Sequence, residues 1–410
     1  MITFCGGYLL IKLRFFYILH PIRTLKFTFK GQNTRKSVIS LMLALAGTLG
    51  VGNIVGVAYG IYRGGAGSVF WLAVSALFSS AIKYAEVNLS SRHATGYGIL
   101  SVIEGNGRPS AASKTYAVLA LVLSFAMGSL LQAQAVRESA FTLGKVSPLV
   151  ISAVFFFTAT VCTMGKDRIK ASVAVVIPAA TILYTGMCLF VILHEFSHVP
   201  AVIYEIFSSA LDLRALGGGV SAFIISSGMR EGFARGLLSN EAGAGTSSFS
   251  HTSHADDGSF DTFDGEYSKR AGVYGILEVI FDTLFLCPLT ALVILLAGRE
   301  ADFHGSISDI CTVFERYLGR GAPVMLLFAV VAFAVSTTIC WYYYGGVCFS
   351  YLTHGRYAFV FSSLFILSFA AGLIFRINAL LYVNDIILFL LTLITLRTLI
   401  KNRASLEKPE

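Results

Sequence analysis

Charge is scarce in this chain. Of its 410 residues, 13% are Asp, Glu, Lys or Arg, while 55% are hydrophobic. Soluble domains carry about 25% charged and about 45–50% apolar residues. That deficit excludes an ordinary water-soluble globular protein. It also excludes a disordered one, which needs few apolar residues and many charges. Paired cysteine motifs are lacking too. Cys5, Cys162, Cys188, Cys287, Cys311, Cys340 and Cys348 form no CxxC pair and no Cys/His metal spacing, and most fall inside apolar segments, as inert buried thiols do. The apolar stretch near the start is followed by no small-residue cleavage site, so no signal peptide is expected. No soluble domain interrupts the chain.

What remains is a series of apolar stretches, several of about 20 residues, the length needed to cross a ~30 Å hydrocarbon core as a helix. The expected fold is all-α, a polytopic membrane protein with eleven segments: 4–20, 38–60, 68–91, 116–142, 148–165, 171–194, 220–253, 271–297, 321–351, 356–375 and 380–400. The first is short and carries Lys12 and Arg14, a poor span alone, and it is marginal or begins late. The net charge of +8 raises a nucleic-acid reading, but the basic residues sit mainly between apolar segments and serve better as topology markers. With the loop before residue 38 in the cytoplasm, that side collects 17 Lys and Arg and the other side 7. The positive-inside rule then places the C-terminus in the cytoplasm and the N-terminus outside.

The chain reads as a single transmembrane domain over 1–410. Ten spans after the first divide into five over 38–197 and five over 218–400. Each set opens with a glycine-interrupted segment. Matching interruptions in two halves are the best sequence pointer to a midplane site in an inverted-repeat transporter.

The first interruption is AGTLGVGNIVG at 46–56, with Gly47, Gly50, Gly52 and Gly56. Glycine costs a helix interior about 1 kcal/mol against alanine. A break there frees backbone groups, tolerated at depth only where they line a cavity. Freed N–H groups suit a carboxylate and freed carbonyls a cation. Close packing of helices through small residues explains the same glycines equally well. The second interruption is SNEAGAGTS at 239–247, after Gly228, Gly232 and Gly236. Arg230, Glu231, Arg235 and Glu241 are expected to close one face of the bundle as an ion-pair network. Glu278 and Asp282 stand at i,i+4 on an apolar helix, where one of two buried carboxyls is expected to hold a proton, for proton coupling or, the favoured reading, as a purely structural shared-proton pair. Lys83 and Glu86 at i,i+3 are expected to pair.

GTLGVGNIVGVAYGIYRGGAGSVFW at 47–71, KYAEV at 83–87 and RGLLSNEAGAGTSSFSH at 235–251 strongly resemble the alanine or glycine:cation symporter family. The segment from Ala332 to Trp341-Tyr342-Tyr343-Tyr344-Gly345 resembles that family's Trp-x-Tyr-Tyr-Gly motif, and the likeness runs from about residue 5 to 400. It implies a five-plus-five inverted repeat like that of the leucine transporter, with the first and sixth core helices discontinuous. It implies uptake of a small neutral amino acid, alanine or glycine, usually coupled to Na⁺, with H⁺ the alternative that the Glu278 and Asp282 carboxyls leave open, in the cell membrane, with no other cofactor, no enzymatic activity and no nucleic-acid partner.

Carried over residue by residue, the resemblance assigns substrate binding to Thr48, Gly50 and Gly52 on the first broken helix. It adds Asn240 and Gly243 on the second, Gln132 on the third core helix, and Trp341 as a wall. It assigns cation binding to Ala334, Thr337 and Thr338 with carbonyls near Ala46 and Leu49. From the residues alone, Gln132 also fits an interhelical hydrogen bond, and the Ser336–Thr338 hydroxyls also fit bonds to their own backbone. The chain departs from the family at Gly96–Ser101, at the polar run 247–254 and at Gln134–Glu138. Two other classes stay open: a copy of the same fold that senses without transporting, and a membrane-embedded metalloenzyme using His251 and His254 with Asp256 and Asp257.

Overall fold

The computed structural model describes residues 1–28, 34–93, 96–105, 107–142, 148–163, 166–211, 219–252, 265–298, 303–375 and 379–407. Among them the regular structure is helical, with no strand. In lipid, a helix satisfies every backbone polar group internally, which an isolated strand does not.

The chain opens with α1 (Ile2–Lys12), α2 (Phe16–Leu19) and α3 (Pro21–Thr28). Next, α4 (Thr34–Thr48) leads through a π-helical turn at Gly52–Gly56 into α5 (Val57–Gly64), followed by α6 (Gly67–Ser90) and the short α7 (Ile99–Glu104). A long unit joins α8 (Ala111–Leu123), a π-helical stretch at Ser124–Leu131 and α9 (Gln132–Thr142). The first half ends with α10 (Pro148–Thr163), α11 (Lys166–His194) and α12 (Val199–Ala210). The second half has α13 (Gly219–Asn240), α14 (Ser247–His251) and α15 (Gly265–Val279), with a π turn at Ile280–Leu286 into α16 (Cys287–Leu296). It closes with α17 (Ile307–Leu318), α18 (Ala322–Thr353), α19 (Ala358–Ile374) and α20 (Leu380–Lys401).

Six described helices are long and apolar enough to span a membrane, and the bent pair Leu41–Thr48 and Gly52–Gly64 makes a seventh. Ile2–Lys12, Ile151–Thr163 and Ala358–Ile374 are apolar but shorter. The faces of α11 and α19 that point away from the protein carry Val175, Ile182, Leu193, Phe359, Leu364 and Leu367, all exposed and all apolar, as lipid contact requires.

Three sequence expectations change. The first segment does not run as one helix from 4 to 20. It stops at Lys12, where Arg14 and Phe15 turn left-handed with φ of 53° and 52°, and the Lys12 ammonium donates to the Arg403 carbonyl. The stretches 199–210 and 307–318, which lie between the expected segments, are helical. The second follows from a capping box: the Asp309 N–H donates to Ser306 Oγ at 3.2 Å and the Ser306 N–H to Asp309 Oδ2 at 2.9 Å. Ile307, Ile310, Cys311 and Phe314 then share the buried face, at i, i+3, i+4 and i+7.

At the centre, α6 packs against both α13 and α15. Its contact with α13 uses the Gly228, Gly232 and Gly236 series. A Cβ on Gly232 would sit 2.4 Å from the Ser68 carbonyl oxygen, and one on Gly236 would sit 2.1 Å from Ser75 Oγ. These glycines serve backbone approach, the small-residue packing of membrane helices. Gly232→Ala is therefore expected to force the two helices apart and cost about 1–3 kcal/mol. A fall in melting temperature of the purified protein checks this; an unchanged melt would show that α6 and α13 are not held this closely.

Candidate functional site

The first interruption is a true break. The Leu49 N–H makes the last regular bond, to the Leu45 carbonyl at 2.6 Å. The Gly50 N–H then turns back to the Thr48 carbonyl at 2.8 Å, so the Ala46 carbonyl loses the donor a continuous helix would give it. The two arms meet at 49°. Of the four glycines, Gly47 and Gly50 pack against α18: a Cβ on Gly47 would lie 2.9 Å from Tyr344 Oη, and one on Gly50 would lie 2.9 Å from Thr337 Oγ1. Gly52 and Gly56 have nothing within 4 Å of a built Cβ. So both uses of the glycines coexist, packing on one side and a cavity on the other.

Facing this break, α18 offers three consecutive hydroxyls. Ser336 Oγ donates to its own Ala332 carbonyl at 2.8 Å and Thr338 Oγ1 to its own Ala334 carbonyl at 2.8 Å. Thr337 Oγ1 alone reaches across, to the Leu49 carbonyl at 3.4 Å. Leu49 and Thr337 thus meet, while Thr338 and Ala334 are joined to each other one turn along.

Between the break and α9 lies a cavity of about 360 Å³. Thr48, Gly50, Gly52, Gln132 and Thr337 line it, as do Tyr59, Gln134 and Glu138. Gln132 is 2% exposed. Its Nε2 donates to the Met127 carbonyl, within the π-helical stretch, at 3.2 Å. Its Oε1 is buried without a hydrogen-bond partner among the described residues and stands 3.6 Å from a Cβ built on Gly50. A buried acceptor left empty is costly, roughly 1–3 kcal/mol. It faces the place where a ligand would sit.

Asn240, Gly243 and Trp341 are not on that cavity's wall. Asn240 caps the second break: its Oδ1 accepts from the Ala242 N–H at 3.0 Å and its Nδ2 donates to Thr283 Oγ1 at 3.0 Å. Gly243 has φ of +89°, and a Cβ there would lie 2.9 Å from Thr392 Cγ2. It serves the turn and the approach to α20. Trp341 is fully buried against Gly128, where a Cβ would come within 2.1 Å of its own, and it meets the Tyr344 ring edge-on at 5.6 Å.

The second break, residues 241–246, is held by side chains from elsewhere. Glu86 Oε1 accepts from the Gly245 N–H at 3.1 Å, and Tyr116 Oη donates to the Ala244 carbonyl at 2.6 Å. Asp282 ties the two breaks together. Its Oδ1 accepts from Asn53 Nδ2 at 2.5 Å, and its Oδ2 accepts from Ser239 Oγ at 2.6 Å and Thr283 Oγ1 at 2.7 Å. Glu278 and Asp282 therefore do not form a shared-proton pair. The π turn beginning at Ile280 shifts the register between them, and Glu278 instead meets His251 Nε2 at 2.6 Å and Lys83 Nζ at 3.7 Å. Lys83 pairs with Glu278 rather than with Glu86. Arg235 pairs with Glu231 and Asp385, and Glu241 stands outside that network. His251 is committed to Glu278, while His254, Asp256 and Asp257 lie outside the described residues.

Residues 304–307 were not anticipated on the cavity wall. Gly305, with φ of +72°, lays its backbone on Ala58 and Tyr59, and only a glycine fits, since a Cβ would lie 2.7 Å from the Ala58 oxygen. The Ser306-x-x-Asp309 box was the available signal. Gln134 and Glu138, where the chain departs from the family pattern, also turn out to face the cavity.

Comparison with known proteins agrees with this architecture. A transporter of uncharacterised specificity from Haemophilus influenzae is 28% identical over 93% of this chain and 85% of its own length. The sodium/alanine symporter AgcS of Methanococcus maripaludis is 29% identical over 76% of this chain and 70% of its own. Among solved structures, the manganese transporter of Eremococcus coleocola superimposes with a TM-score of 0.54 over 93% of this chain and 90% of that one, at 13% identity, which shows a shared fold. The model of the sodium:alanine symporter family matches residues 1–404. A chain of apolar helices matched end to end in this way is an integral membrane transporter and not an enzyme, and it belongs to the sodium:alanine symporter family.

Proposed function

We propose that this protein takes up a small neutral amino acid, alanine or glycine, together with Na⁺, across the cell membrane with its C-terminus in the cytoplasm. The observation that carries this is the empty Gln132 Oε1 opposite the broken helix at Thr48–Gly52. A buried acceptor suits the ammonium of an amino acid, and backbone N–H groups at a helix break suit its carboxylate. At about 360 Å³ the cavity is near the lower end of the roughly 300–1,000 Å³ of ligand pockets. That favours a short side chain.

In this proposal Thr48, Gly50, Gly52 and Gln132 touch the substrate. Asn240, Gly243 and Trp341 act behind them, setting the second break and filling the space beside Gly128. Na⁺ sits by the Ala46 and Leu49 carbonyls and the Thr337 hydroxyl, with Ala334 and Thr338 beside it. Within two five-helix repeats, 38–197 and 218–400, a bundle rocks against a scaffold about this midplane site and exposes it to each side in turn. The support is the break after Thr48, the unwound stretch 241–246 after α13, and the family match.

Uptake by proteoliposomes under an inward Na⁺ gradient tests it. Alanine or glycine is expected to accumulate above a choline control, with glutamine a poor competitor. Gln132→Leu removes the acceptor for a charged donor, worth about 1.5–3 kcal/mol, and is expected to weaken substrate affinity roughly ten- to hundredfold. Equal uptake in choline at the same pH removes the sodium claim, and failure to take up any small neutral amino acid removes the substrate claim.

A further inference from the structure

Four carboxyl groups lie inside the helices with too few cations to match them. Glu86, Glu241, Glu278 and Asp282 are each at most 1% exposed. Among the described residues the basic groups that meet them are Lys83 and His251, and Glu278 takes both. Asp282 is occupied by Asn53, Ser239 and Thr283, and Glu86 accepts a backbone N–H.

Glu241, like Glu86, keeps one buried oxygen without a hydrogen-bond partner among the described residues; what sets it apart is its place in the unwound second break and on a cavity wall. Its Oε2 accepts from Thr246 Oγ1 at 2.6 Å, but its Oε1 is buried without a hydrogen-bond partner. It sits in the second break, at φ of 53°. It also lines a second cavity, of about 450 Å³, walled by the start of α1, by α13 and by α20. Other charged groups there are already engaged: Asp385 with Arg235 at 2.9 Å, and Arg230 with Glu231 at 3.6 Å. Tyr116 from α8 donates to Ala244, Cys340 from α18 donates to Leu43, and Tyr344 from α18 bonds Ser250. None of these makes an ion pair with Glu241, and Lys83, which acts on it through space, makes its contact pair with Glu278. A carboxylate in a membrane interior with no cation in contact is heavily penalised, so something small and positive belongs on that oxygen.

We propose that Glu241 binds a small monovalent cation, a proton or an alkali ion, at a point separate from the Leu49–Thr337 position and reached from the second cavity. Because Glu241 lies in the unwound stretch between α13 and α14, occupancy there is linked to the geometry of that break. The proposal goes beyond the symport described above and does not depend on which amino acid is carried.

The test uses the purified full chain in nanodiscs without amino acid. Infrared difference spectra across a pH step in choline buffer read buried carboxylic acids, and binding of radioactive Na⁺ at fixed pH reads alkali ions. If a proton is the occupant, Glu241→Gln removes one acid carbonyl band and leaves Na⁺ binding intact. If Na⁺ is the occupant, the variant binds one ion fewer per chain. Glu241→Asp keeps a carboxylate and is expected to shift the band or weaken the ion's affinity, which covers a Gln variant that does not fold. A folded Gln variant with the native band and the native Na⁺ count overturns the proposal, as does an Asp variant matching the native chain in both. Both readouts are taken without substrate, so absence of amino-acid uptake would count against the symport alone.

Discussion

Asp282→Ala is expected to abolish transport and to lower the melting temperature sharply. The carboxylate accepts from Asn53 in the first break, from Ser239 at the end of α13 and from Thr283 beside it. Removing it takes the carboxylate from three buried donors, leaving Asn53 only the Asp282 backbone carbonyl at 3.3 Å and Ser239 only Cys287 Sγ at 3.4 Å; an unsatisfied buried donor costs roughly 1–3 kcal/mol. It also unties α5's π turn from α13, so both arms that frame the cavity lose their common anchor. Asp282→Asn is expected to be far milder. An amide oxygen still accepts from Asn53, and the hydroxyls of Ser239 and Thr283 can reverse to accept from the amide nitrogen. Thermal melts and alanine uptake on both variants check the contrast. Native-like uptake by the Ala variant would mean that Asp282 does not hold the breaks in place.

This anchor illustrates what was readable beforehand and what was not. Both breaks were legible, because glycine clusters inside apolar spans conflict with a continuous helix and few structures resolve that conflict. The crossing of Thr337 to Leu49 was legible only through resemblance, since three adjacent hydroxyls look alike in sequence and two of them do bond their own backbone. The partners of Asp282 were not legible. Asn53 is 229 residues away, and the π turn at Ile280–Leu286 redirects the carboxyl away from Glu278, with which an ideal 3.6-residue helix would align it. The wall at 304–307 was hidden for a different reason. It is set by how α17 sits on Ala58 and Tyr59, and a short capped helix in a polar loop carries no sign of its neighbour.

Thr337→Val is expected to raise the Na⁺ concentration needed for half-maximal uptake about ten- to hundredfold, the equivalent of losing one interaction of about 1.5–3 kcal/mol with a charged group. Valine keeps the shape of threonine and deletes one oxygen. That oxygen is the one hydroxyl of the Ser336–Thr338 run that leaves its own helix, to meet the Leu49 carbonyl at the edge of the cavity. Thr338→Val is the control on the same helix. Its hydroxyl is satisfied at 2.8 Å by Ala334 one turn back, so its loss is expected to move the Na⁺ dependence much less. Sodium titrations of alanine uptake on both variants, at one pH, read the difference directly. If the two shifted equally, the ion would be held by both hydroxyls after a rotation of Thr338 away from Ala334. If neither shifted, the cation would lie elsewhere, and Glu241 in the second break would be the next place to look.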